Sequence, residues 1–221
     1  MMPFKAKPCT NDSVILESIK REYIGLGKNC RIEDFELIQT IGIGTFGHVK
    51  LGKHKATGKN FAIKVHRKSD VIRLKQVEHV LSEKKLLSLI DHPFITRMPA
   101  AFQDSKNLYM VLELVIGGEI FGHLRKAGRF SNETTRIYAA QMVLALSYLH
   151  SRDIVYRDLK PENVLLDEKG FIKIVDFGKL ATLYSLSLVG TCNEDYTKRA
   201  IFPEHLFTAF VVCKSSFYVP M

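Results

Sequence analysis

No run of apolar residues in this 221-residue chain approaches the roughly 20 positions a helix needs to cross a bilayer, so a soluble protein is the expectation. Cysteine is scarce, and Cys9, Cys30, Cys192 and Cys213 stand far apart with no C-x-x-C pair. That spacing suggests neither a zinc site nor a disulfide framework; a reducing compartment, cytoplasmic and extending to the nucleus, fits it best. The start, Met1-Met2-Pro3-Phe4-Lys5, has no apolar stretch after its charge and no glycine at position 2, so neither secretion nor myristoylation is indicated. The composition is not that of a disordered chain: 46% of residues are hydrophobic and 25% charged, near the soluble average. The length can bury a substantial core as one domain or as two small lobes.

What the chain has in excess is positive charge, a net +9. Clustered lysines and arginines release counterions from a nucleic-acid backbone, which makes nucleic acid the first partner to weigh. Here, however, the basic residues are scattered, and Lys64 to Lys85 interleaves them with Asp70, Glu78 and Glu83 as a solvated helix face would. No aromatic-basic motif accompanies them. A nucleotide polyphosphate is the better anion, and neither nucleic acid nor a membrane is the expected partner.

A strand-like run, Phe35 to Ile41, leads into Gly42-Ile43-Gly44-Thr45-Phe46-Gly47-His48-Val49. Glycines at this spacing let a backbone turn tightly and bring its N–H groups close to phosphate oxygens, where a Cβ would obstruct the approach. The same spacing marks dinucleotide-binding folds, but there a helix comes after the last glycine. Here the last glycine leads instead into Val49 to His54, alternating and closed by Ala56-Thr57-Gly58, which predicts a hairpin over phosphates. Phe61 to Val65 is a further strand with one charge, Lys64, inside an apolar run. That lysine either snorkels to the surface or meets an anion in a cleft. A helix is predicted over about Gln76 to Leu89, where Glu83 is a candidate partner for Lys64 or a solvated helix residue.

Ala100–Gln103 and Leu108–Leu114 read as two more strands around Asp104-Ser105-Lys106-Asn107. Val115-Ile116-Gly117-Gly118 reads as a hinge whose backbone groups would be free to bond an adenine edge. Glu119 opens a short helix that ends near Gly128, and Ser131 is an N-cap for a long helix to His150, apolar around most of its circumference. Two short strands, Val164–Asp167 and Phe171–Val175, close the readable part. Before them lies Tyr156-Arg157-Asp158-Leu159-Lys160-Pro161-Glu162-Asn163, and after them Asp176-Phe177-Gly178. An aspartate, a lysine two positions on, an asparagine three further and a second aspartate beyond a hairpin suit phosphate and divalent-metal chemistry.

With both motif sets read, residues from about 33 to 178 resemble the AGC group of eukaryotic Ser/Thr protein kinases, and within it the cyclic-AMP-dependent catalytic subunits. The narrowing rests on Tyr156-Arg157-Asp158 in place of the commoner His-Arg-Asp, on Leu108-Tyr109-Met110-Val111, on Gly117-Gly118-Glu119 and on Gln76-Val77-Glu78-His79. The resemblance implies an α+β, two-lobe fold: an antiparallel five-stranded sheet and one helix in the small lobe, and an incomplete helical large lobe. It implies a small lobe over 32–114 and a partial large lobe over 115–178, while the helix-like run Val14–Lys20 marks an N-terminal helical extension over 1–31 and residues 179–221 read as a divergent tail.

It also implies roles. Asp158 would be the catalytic base and Lys160 would steady the transferring phosphoryl group, while Asn163 and Asp176 would hold Mg2+. Gly42, Gly44 and Gly47 would cover the phosphates of ATP, Lys64 would hold them and Glu83 would orient Lys64. Met110 would back the adenine pocket, Glu113 and Val115 would lend it backbone groups, and Ile41, Thr45, Phe46, Val49, Ala62 and Glu119 would complete the nucleotide site. Glu119 and Glu162 would receive arginines preceding the target Ser or Thr, so the implied substrate is a basic protein segment, and a kinase regulatory subunit is an implied partner.

After Gly178 the sequence departs from the family's pattern. Ser187-Leu188-Val189-Gly190-Thr191 would be a relic of the activation segment, with Ser187 at its phosphosite and His79 and Arg157 as clasping basic groups. Phe202-Pro203-Glu204 is too displaced to align. The expectation is a truncated kinase whose long helix keeps exposed apolar surface. Two functions are in contention: a Ser/Thr kinase using MgATP, or a catalytically silent fragment acting as a nucleotide-binding or decoy module.

Overall fold

The computed structural model describes residues 26, 30–44, 47–177 and 181–182. The expected helix at Val14–Lys20, the loop residues Thr45 and Phe46, Gly178, the phosphosite Ser187 and the rest of the tail lie outside the described residues.

A five-stranded antiparallel sheet opens the fold in the spatial order β1-β2-β3-β5-β4, built from β1 (Phe35–Gly44), β2 (Gly47–His54), β3 (Asn60–Arg67), β4 (Ala100–Gln103) and β5 (Asn107–Glu113). In β3 the period of two is plain: Phe61, Ile63 and Val65 are buried and pack with Phe35, Tyr109 and Val111 on one face. Lys64 therefore stands on the other face, its backbone opposite Met110 of β5. Between β3 and β4 come α1 (Lys68–Arg73) and α2 (Val77–Leu89). Helix α2 matches the predicted span. Helix α1 was not anticipated, because six residues with one buried side chain, Val71, carry too little periodicity to read.

Beyond β5 lie α3 (Ile120–Ala127), ended by Gly128 at φ 71°, and α4 (Asn132–His150). Ser131 caps α4 as predicted, its Oγ accepting from the Thr134 N–H at 3.1 Å. Four short strands complete the order: β6 (Ile154–Val155), β7 (Val164–Leu166), β8 (Ile172–Ile174) and β9 (Ala181–Thr182), with β6 pairing β9 and β7 pairing β8.

The larger core runs from Leu86, Leu87, Ile90 and Met110 to Met142, Leu149, Val164, Ile172, Ile174 and Phe177, so α2 and β5 share apolar burial with α4, β7 and β8. Helix α4 buries Met142, Ala145, Leu146 and Leu149 but leaves Ile137 at 48% and Leu144 at 55% exposure, which is the uncovered apolar surface expected of it. No helix among the described residues is long and apolar enough to cross a membrane. The architecture is the α+β one expected: the five-stranded sheet with α2 packed beside it, and an incomplete helical part that carries Tyr156 to Asn163.

Candidate active site

Lys64 projects from the middle of β3 toward α2, whose Glu83 is buried at 4% exposure. The two meet at 2.6 Å, and the same Lys64 Nζ lies 3.6 Å from Oδ1 of Asp176, a residue 112 positions away by sequence number. A buried carboxylate needs a cation, and Lys64 supplies it while its remaining donors face the more open Asp176 carboxylate, 52% exposed. Two carboxylates and one ammonium leave a local negative surplus. That surplus suits a divalent cation, and an anion on the other side of it.

The second cluster is built by Tyr156 to Asn163. Asn163, buried in a 3-10 turn over Pro161–Asn163, donates from Nδ2 to the Asp158 backbone oxygen at 3.0 Å and to its Oδ2 at 3.1 Å. Lys160 Nζ lies 3.2 Å from the same Oδ2. That hydrogen bond, with the charge behind it, holds the Lys160 ammonium above its usual range. Asp158 is thus a fixed, half-buried carboxylate with its lysine beside it, able to accept a proton from a hydroxyl brought within hydrogen-bond reach.

Tyr156 joins the clusters. Its hydroxyl donates to the backbone oxygens of Val175 and Asp176, and its ring meets Phe177 edge to face at 5.5 Å between centroids. Burial, reinforced by the charge of Asp176, pushes its phenol well above the ordinary range, so it stays a donor. With Phe177 at 1% exposure on one side, Asp176 takes a left-handed φ of 58°, which aspartate tolerates better than most residues. The Val175 N–H donates to the Asn163 backbone carbonyl at 2.9 Å, which ties the two motifs directly.

Among the described residues no group of three or more His, Cys, Asp or Glu is arranged to hold a metal. The hard-oxygen donors on offer are the Asp176 carboxylate and the Asn163 amide oxygen. Such a sparse set fits magnesium, which keeps waters and substrate phosphates in its shell and uses only one or two protein carboxylates.

The three glycines differ in what they permit. A Cβ on Gly42 would meet Val49 at 3.5 Å and one on Gly44 would meet the Gly47 oxygen at 3.7 Å, both ordinary contacts. A Cβ on Gly47 would lie 1.9 Å from the Val65 oxygen. The protein's own packing therefore demands glycine at 47, whereas Gly42 and Gly44 are left to the ligand-approach argument. Of the other nucleotide-site expectations, Met110 is buried in the core behind Lys64, and Ala62 and Val49 flank Lys64 in β3 and β2, Ala62 two positions before it and Val49 directly opposite. Ile41 stays 45% exposed on β1.

The hinge expectation needs correction. The Gly117 N–H bonds to the Leu166 oxygen at 2.8 Å and the Leu166 N–H to the Gly118 oxygen at 2.9 Å, so these groups pair with β7 and are not free for a base. Gly117 is there because a Cβ would lie 2.4 Å from the Leu166 oxygen. The Glu113 N–H is also taken, by the Arg97 oxygen at 2.9 Å, which leaves Val115 as the donor in that pair. Glu119, at the N-cap of α3, and Glu162, in the Pro161–Asn163 turn, are both exposed, and α3 packs on that turn.

One pair escaped the sequence reading: Lys173, at the centre of β8, meets both Glu113 oxygens at 2.8 and 3.0 Å with side chains 7% and 14% exposed. The signal was available. Ile172-Lys173-Ile174 places a lysine in an apolar run as Phe61 to Val65 does, and only the earlier one stood near a glycine loop.

The protein kinase domain family matches residues 35–208. The chain is 55% identical over 148 residues to the cAMP-dependent protein kinase catalytic subunit of Dictyostelium discoideum, covering 67% of this chain and 23% of that protein. It is 51% identical over 147 residues to the human cAMP-dependent protein kinase catalytic subunit PRKX, covering 66% of this chain and 41% of that one. With the cAMP-dependent protein kinase type 3 of Saccharomyces cerevisiae it shares 50% identity over 147 residues, 66% of this chain and 37% of the relative. The chain thus spans less than half the length of these curated relatives.

Proposed function

Because this chain belongs to the protein kinase family and groups with the cAMP-dependent catalytic subunits of the AGC kinases, we propose that it transfers the γ-phosphoryl of MgATP to serine or threonine in arginine-containing proteins. The observation that supports the reading is the meeting of Lys64 with Glu83 and Asp176, which brings together side chains from three segments far apart in sequence. Glu83 aims the Lys64 ammonium, which binds phosphate oxygens of the nucleotide. Asp158, fixed by Asn163 and Lys160, orients the attacking hydroxyl and takes its proton. Magnesium, when bound, supplies positive charge against the phosphates, and Asp176 and Asn163 are the side chains to hold it. Val115, with the Glu113 carbonyl, meets the adenine edge. Glu119 and Glu162 receive the arginines of the substrate as charge-assisted pairs. The expected setting is cytoplasmic and nuclear, with a regulatory subunit as a further partner.

A second reading, a nucleotide-binding or decoy module without transfer, is favoured by the exposed Ile137 and Leu144 of α4, an apolar surface suited to holding another protein. The two readings separate in one experiment on the full chain. MgATP should raise the unfolding temperature, and Asp176→Ala should abolish the rise. Transfer of labelled phosphate to an arginine-rich peptide should fall by about 100-fold or more in Asp158→Asn. A thermal shift without transfer in the unaltered chain sinks the kinase reading and leaves the module; no shift at all sinks the kinase and the nucleotide-binding form of the module and leaves only the decoy.

A further inference from the structure

We propose that the Lys173–Glu113 pair is a positioning clamp that sets the distance between the adenine edge and Asp176, and so governs nucleotide affinity. The inference rests on the nucleotide-binding reading above and deepens it. Glu113 ends β5 two residues before Val115, and Lys173 sits in β8 three residues before Asp176. One ion pair thus bridges the two chain segments that would grip opposite ends of the nucleotide.

The surroundings make the bridge stiff. Residues 94–97 run beside both strands: the Phe94 oxygen accepts from the Ile174 N–H at 2.9 Å, the Thr96 N–H donates to the Ile174 oxygen at 3.0 Å, and the Arg97 oxygen accepts from the Glu113 N–H at 2.9 Å. With Lys173 on Glu113, this closes a ring through β5, the 94–97 segment and β8. Lys173 Nζ touches both carboxylate oxygens, so its one ammonium is centred on the Glu113 carboxylate and holds the two at contact distance.

Stability alone does not call for such a pair, since buried ion pairs gain little over apolar residues of similar volume. What the charges add is a single allowed spacing. Asp176 is sensitive to that spacing because its left-handed backbone lies just beyond the end of β8. A shift of about an ångström between a binding group and its partner is enough to cost a large factor in a preorganised site.

The test uses the full chain, MgATP titration calorimetry and thermal unfolding. Lys173→Met strands the Glu113 carboxylate, so the unfolding temperature falls and the MgATP dissociation constant rises about tenfold or more. Adding Glu113→Gln removes the stranded charge. The double variant should regain thermal stability while keeping the weakened MgATP binding, a separation that a merely structural pair would not give. If the single variant does not fold, the double variant alone decides. MgATP affinity within twofold of the unaltered chain in a folded double variant overturns the clamp. No MgATP binding by the unaltered chain overturns the nucleotide reading, and the clamp with it.

Discussion

The β1–β5 sheet and the stretch from Asp153 to Phe177 are ordered by different means. In the sheet, long ladders hold the chain: β1, β2 and β3 pair over nearly their whole length, and in β3 the side chains at 61, 63 and 65 turn to the core. In the catalytic stretch the strands are two or three residues long, and Asp153 and Asp176 both take left-handed φ angles. Order there comes from side chains that bond backbone: Tyr156 to Val175 and Asp176, Asn163 to Asp158, and buried Gln141, whose Oε1 accepts from the Ile172 N–H at 2.8 Å. The first region should break when its backbone is obstructed, the second when one side chain loses a polar atom.

The sharpest way to break the comparison is a methyl group in the sheet. Gly47→Ala puts a Cβ against the Val65 oxygen at 1.9 Å, in a place where backbone must move. We expect a loss of about 3 kcal/mol in denaturant unfolding, at the upper end of ordinary overpacking. Gly44→Ala, three residues earlier on the same hairpin, meets nothing closer than 3.7 Å and should change stability by less than about 0.5 kcal/mol. Equal effects from the two alanines would mean that the ladder does not pin the hairpin.

In the catalytic stretch the corresponding change removes a single oxygen. Tyr156→Phe keeps the ring against Phe177 but leaves the Val175 and Asp176 carbonyls without their hydroxyl donor, an expected loss of about 1 to 3 kcal/mol. Because those carbonyls fix the backbone that aims Asp176, the MgATP-induced rise in unfolding temperature should shrink as well. A variant as stable as the unaltered chain, with the same response to MgATP, would show that the apolar contact of Phe177 holds the motif by itself.

The same contrast explains what could be read in advance. Period and punctuation are local, so the five strands, α2 and the Ser131 cap were legible from alternation and from one hydroxyl before a helix. Convergence is not local. Glu83 was legible as a candidate for Lys64 only because a glycine loop lay nearby, and Asp176 only through its motif. The hinge was misread because a gap between elements looks unpaired in sequence, while Leu166, some fifty positions on, pairs with both its glycines. The pairing of Lys173 with Glu113 was missed for the same reason, since neither carries a mark that names the other.

Where the two regions join, a titrating ring offers the smallest and most specific test. His92 lies between α2 and β4 against Tyr148 of α4, with ring centroids 4.9 Å apart, and its Nδ1 accepts from the Phe94 N–H at 3.3 Å. Burial, then the positive charge of Lys173, lowers its pKa to about 4; Arg152 and Arg97 push the same way and Asp91 opposes them. In the unfolded chain the ring titrates near its ordinary value of about 6.5. Between those values the unfolded state binds more protons, so this group weakens the fold as pH falls from about 6.5 to about 4 and adds nothing further below that. The ring is only partly buried and solvent screens its neighbours, so the effect should be about 1 kcal/mol between pH 6.5 and 5. His92→Phe keeps a ring against Tyr148 and removes the proton site. Its unfolding free energy should therefore fall less over that interval than the unaltered chain's, and parallel curves would mean that the junction does not hold the imidazole neutral.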